Sequence, residues 1–134
     1  MSNIERGPRI RIEVERLKEL ERISGWMQEA RVELDGLLAA NRTLEDRIDS
    51  YQRRIAADEK QLKLIAAGGV FGPDVRRRLS SLRDSLNVAR AELNEVLEDK
   101  RCNEEWLSAA AVALDFAVGA YVDQIDLLLG AAPT

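Results

Sequence analysis

Two heptad rows of nearly equal length flank a single break, Gly68-Gly69-Val70-Phe71-Gly72-Pro73. Apolar residues before it fall at alternating steps of three and four: Leu20, Ile23, Met27, Ala30, Leu34, Leu37, Asn41, Leu44, Ile48, Tyr51, Ile55, Asp58, Leu62 and Ile65. Only Asn41 and Asp58 interrupt that row. The second row is Val75, Leu79, Leu82, Leu86, Ala89, Leu93, Val96, Lys100, Asn103, Leu107, Ala110, Leu114, Ala117, Tyr121, Gln124 and Leu128. A seven-residue repeat sustained this long specifies coiled-coil helices rather than globular ones. A short Gly/Pro connection forces the two helices to lie antiparallel as neighbours. The expected fold is therefore all-α, a long antiparallel two-helix coiled-coil hairpin within one domain over 1–134. Its parts are an extended or frayed arm at 1–11, helices over 12–67 and 74–130, a turn at 68–73 and a tail at 131–134.

Pairing the rows gives a register. If Ile65 faces Val75, partner numbers add to about 140. Tyr51 then faces Ala89, Leu20 falls beside Tyr121, and Ile10 falls near Gly130. Asn41 falls at the level of Lys100 and Asn103, so the polar interruptions of the two rows meet. A polar layer of this kind fixes register at some cost in stability. Each helix would span about 80 Å at 1.5 Å per residue. Asp58 has no polar counterpart in the opposite row and is expected to reach towards Arg54 or Arg83.

Two stretches weaken the pattern. Arg9-Ile10-Arg11-Ile12-Glu13-Val14-Glu15 alternates with period two, as a strand does, although Ile10, Val14 and Leu17 also share one helix face. Ser24-Gly25 could nick the first helix, because a mid-helix glycine costs about 1 kcal/mol relative to alanine.

After Arg101 the second helix becomes apolar outside its heptad row. Trp106, Ala109, Ala113, Phe116, Ala120 and Leu127 form a further stripe, with Trp26 flanking the first helix at a similar level. At 100° per residue, Ser108, Asp115, Gly119, Asp123 and Asp126 share one narrow polar strip. One partner helix cannot cover the remainder, so these residues are the expected interface of a homo-oligomer, a four-helix or larger bundle. The three aspartates also argue against a membrane span over Leu107–Leu129, at about 3 kcal/mol each near the bilayer centre.

Charge is divided along the chain. Residues 51–90 hold nine Lys/Arg and four Asp/Glu, a net +5, while the whole chain is −4 and the remainder therefore −9. Pairs at i,i+4 (Asp49–Arg53, Glu59–Lys63 and Asp74–Arg78) would neutralise part of the basic stretch. Arg76, Arg77 and Arg78 beside Val70 and Phe71 form the expected contact site at the tip.

The chemistry of catalysis is sparse. There is no histidine, hence no commonest general base or metal ligand. Cys102 is the single cysteine, which excludes an internal disulfide and leaves a reduced thiol or a bond between chains. The glycine-rich turn lacks the Lys-Ser/Thr ending of a phosphate loop. No cofactor or metal is expected. The N-terminal residues form no apolar signal core, so a cytoplasmic location, or a place in a particle assembled inside the cell, is expected. The expected role is a non-enzymatic structural or assembly protein that oligomerises through its terminal halves and offers a basic tip to another protein. The alternatives are an adaptor or chaperone-like stalk and a hairpin that binds nucleic acid through the tip. The second is weakened by the lack of a stacking platform or recognition motif.

Overall fold

The structure, a computed structural model, describes residues 3–69 and 72–130, with side chains from Arg9 onward. It is an all-α helical hairpin of α1 (Asn3–Ala67) and α2 (Pro73–Leu128), with no strand among the described residues. The chain divides into two compact units to which both helices contribute. The terminal unit is Met1–Leu38 with Trp106–Thr134, and the turn unit is Ala39–Glu105.

Local chemistry sets the helix ends. The Gly68 amide donates to the Ile65 carbonyl at 3.2 Å, and Gly69 follows at φ 70°, a left-handed conformation that glycine adopts without strain. The Gly72 carbonyl accepts the first bond of α2 from the Arg76 amide at 3.0 Å. Pro73 thus occupies the first helical position, where a missing N–H costs nothing, and Asp74 adds negative charge to the N-terminal turn. At the far end the Gly130 amide reaches the Leu127 carbonyl at 3.2 Å, with Gly130 at φ 62°. That cap ends α2 at Leu128, two residues before the expected boundary.

The expected extended arm is replaced by helix, since α1 begins at Asn3. A period-two alternation pays off only when a neighbouring strand takes up its backbone groups. Here none is present among the described residues, whereas extending an existing helix adds one backbone bond per residue. Ser24 and Gly25 likewise lie within continuous α1.

Every position of the two heptad rows is buried or half-buried. Among the described residues all seven fully buried ones belong to those rows: Ile23, Ala30, Ala110 and Ala117 in the terminal unit, and Leu86, Ala89 and Val96 in the turn unit. In the turn unit the helices run antiparallel, because Asn41 meets Asn103 while Asp58 meets Ser85. In the terminal unit Arg16 Nη1 donates to the Leu127 carbonyl at 3.0 Å and Trp26 meets Phe116, again in opposite directions. Both units keep within a few residues of the expected pairing.

The polar layer forms as expected and is larger. Asn103 Nδ2 donates to Asn41 Oδ1 at 3.4 Å, and Asn41 Nδ2 donates to Glu45 Oε1 at 3.1 Å. Lys100 lies 3.9 Å from Glu45 and 3.3 Å from Glu104. Asp58 differs from expectation: its direct partner is Ser85, whose hydroxyl donates to Asp58 Oδ2 at 3.1 Å and accepts from Arg54 Nη2 at 3.2 Å. A serine beside the seam thus relays the Arg54 charge to a carboxylate within it.

Ser85→Ala removes that relay and leaves a half-buried carboxylate under-bonded, so unfolding in urea should show a loss of about 1–3 kcal/mol. Adding Asp58→Leu to Ser85→Ala should restore or exceed parental stability, because both polar partners are then gone. A Cβ at Gly25 would meet nothing within 4 Å. Gly25→Ala should therefore stabilise α1 by about 1 kcal/mol in the same measurement.

Candidate functional site

Among the described residues seventeen large hydrophobics are exposed, and fourteen of them lie in the terminal unit. The residues expected to form an oligomer interface are among them. Trp106 is 64% exposed, Phe116 67%, Leu127 47% and Trp26 39%. Ala109 and Ala113 are exposed and Ala120 is half-buried. Their common placement follows from helical geometry, since steps of three, four and seven return to one flank of α2.

One contact within the hairpin partly covers this flank. The rings of Trp26 and Phe116 meet edge to face, with centroids 5.9 Å apart at 65°, a favoured aromatic geometry. The opposite flank of α2 is also apolar and exposed, with Val118, Val122 and Leu129. On α1, Ile10, Val14, Leu17 and Val32 are exposed in the same unit. The sequence carried a signal for these additional residues, because the rest of the α2 circumference beyond the polar strip was already apolar.

In the turn unit, Arg76, Arg77 and Arg78 are all exposed. Val70 and Phe71, the apolar part of the expected tip contact, lie outside the described residues. Of the three i,i+4 pairs expected to neutralise the basic stretch, Asp49–Arg53 forms. Glu59 turns instead to Arg90 on α2, at 2.9 Å. Asp74–Arg78 is not among the ion pairs of the described residues, which leaves Arg78 in water.

Around Cys102 the charges are on one helix face. The half-buried thiol lies 3.9 Å from Glu98 Oε1. Arg101 holds the Glu98 carboxyl below the usual carboxylate range, first through a hydrogen bond and then through its charge. The Glu19 carboxyl is lowered in the same way by Arg22. These groups are in water, so each pair adds little to stability. That small contribution is present at neutral pH and is lost as pH falls through the lowered carboxylate pKa.

No group of three or more Cys, Asp or Glu residues among those described could hold a metal ion. The surface depressions are open. One of about 440 Å³ lies between the helices of the terminal unit, lined by residues that include Ile12, Arg16, Gln124 and Leu127. α2 also contains an 18-residue window of mean hydropathy 1.3, long and apolar enough to cross a membrane by length and composition alone. Comparison with protein-family models, with curated proteins and with solved structures finds no match.

Proposed function

We propose that this chain is a coiled-coil structural or assembly protein without a catalytic role. It associates with further copies of itself through the terminal unit and offers the basic, turn-proximal part of the hairpin to a partner. The observation that carries this reading is the concentration of fourteen of seventeen exposed large hydrophobics in one of the two units. A helix that is apolar on both flanks of its seam is matched by several helical neighbours, and α1 supplies only one. Contiguous apolar surface of this kind marks a protein contact.

A second copy is the natural source of those neighbours. Each large side chain withdrawn from water contributes about 1.5–3 kcal/mol, and Trp106, Phe116 and Leu127 are contributed by every copy. Together they are comparable with the roughly 4–15 kcal/mol that association costs. On α2 this flank carries one charge between Trp106 and Leu127, Asp123, which lies seven residues after Phe116, while Asp115 and Asp126 turn to the polar strip. Packing centred on Trp106, Ala109 and Ala113 meets no carboxylate, and Asp123 falls towards the C-terminal end of the flank. The same strip weighs against insertion of α2 into a bilayer, and a cytoplasmic location fits this reading. Nucleic acid is the less favoured partner for the basic part, since Tyr51 is half-buried in the seam and offers no stacking surface.

Sedimentation velocity at micromolar concentration should give a dimer or larger species. Trp106→Glu with Phe116→Glu should shift it to monomer while α-helical circular dichroism persists. A parental chain that sediments as a monomer overturns the reading.

A further inference from the structure

Arg76, Arg83 and Arg90 recur every seven residues along α2, on one flank of the seam. Beside them run two shallow depressions of about 410 and 260 Å³, both lined by Leu62 and Arg83. Leu79 and Arg76 line the first, and Leu86 and Arg90 the second. The two therefore join into one groove, with leucine on its floor and an arginine at each heptad step along its wall. Leu62 and Leu79 are only half-buried, so the hairpin leaves this floor partly uncovered.

We infer that this groove receives an acidic amphipathic helix of another protein. Such a helix would carry leucine-like residues facing the floor and a carboxylate at every seventh position facing the arginines. The spacing argues for it, because heptad-spaced charges flanking a heptad seam are how coiled-coil helices choose a further strand. The chain itself shows that the arginine row accepts a carboxylate: Glu59 Oε1 sits 2.9 Å from Arg90 Nη2. Among the described residues Arg83 forms an ion pair only with its neighbour Asp84, at 3.4 Å, with 68% of its side chain exposed. Arg76 is exposed and makes no ion pair among the described residues. Two of the three steps are thus open to an incoming acid. A phosphate backbone would use the arginines but not the leucines.

This inference rests on the reading that the turn unit meets a partner, and it is independent of self-association, which sedimentation reports separately. The test uses the full chain and a labelled synthetic helix of three heptads, with leucine at the seam positions and glutamate beside them. Fluorescence anisotropy at low salt should show saturable binding that weakens as salt is raised. Arg76→Glu/Arg83→Glu should weaken it by about tenfold or more. Arg77→Glu/Arg78→Glu, with the same change in net charge but on other faces of α2, should leave it within about twofold. Arg76→Gln/Arg83→Gln should preserve this ordering without placing new acids near Glu59, and circular dichroism checks that each variant is folded. The inference is overturned by equal losses in the two arginine pairs or by no binding. It is also overturned if a peptide with serine in place of leucine binds as tightly, or if a single-stranded oligonucleotide of equal charge displaces the peptide and binds more tightly.

Discussion

The packing of one apolar row against another is the interaction on which the rest of the structure depends. A pair of helices can bury only one stripe from each, and every heptad position of α1 and α2 is used in that way. Most row positions are large, and the alanines at 30, 89, 110 and 117 are among the most buried residues. Small side chains at these levels let the two backbones approach. The cost of this economy is that nothing else is covered. Whatever apolar surface lies off the seam must face solvent or another molecule.

That limit bears differently on the two units. In the turn unit, off-seam positions are mainly polar, and cross-helix bonds such as Glu59–Arg90 and Ser85–Asp58 add to the pairing. In the terminal unit the off-seam positions of α2 outside the aspartate strip are mainly alanine, valine, leucine and aromatic. The Trp26–Phe116 contact takes up a little of this surface and leaves most of it exposed. Self-association through the terminal unit and docking of an acidic helix in the turn unit are two answers to one question, namely what covers the flanks of a seam. Leucine and aromatic side chains pose that question in the first case, and an arginine row over half-buried leucines poses it in the second.

Much of this was legible in the sequence, for a physical reason. Heptad rows encode both which face is buried and how far each helix runs, and Gly-Pro chemistry encodes the turn. The meeting of Asn41 with Asn103 followed from arithmetic on the two rows. The parts that were misread depend on side chains next to the seam. Asp58 was assigned to arginines because the opposite row held no polar residue, whereas Ser85 lies beside that row and reaches in. Glu59 was paired within its own helix, whereas it meets Arg90 of the other helix at 2.9 Å. The strand-like alternation at residues 9–15 was real but had no strand to pair with. Arg76 was grouped with Arg77 and Arg78 at the tip, and Arg83 and Arg90 were counted as net charge, because the run looks continuous until the helix separates its faces.

The most direct measurement of the central claim is fluorescence of Trp106 as a function of protein concentration, in a Trp26→Phe variant that leaves it as the only tryptophan. If copies of the chain cover the terminal unit, the emission should be blue-shifted and poorly quenched by acrylamide at high concentration. Both properties should revert on dilution. Emission typical of water-exposed indole, freely quenched and unchanged across the concentration range, would contradict the account.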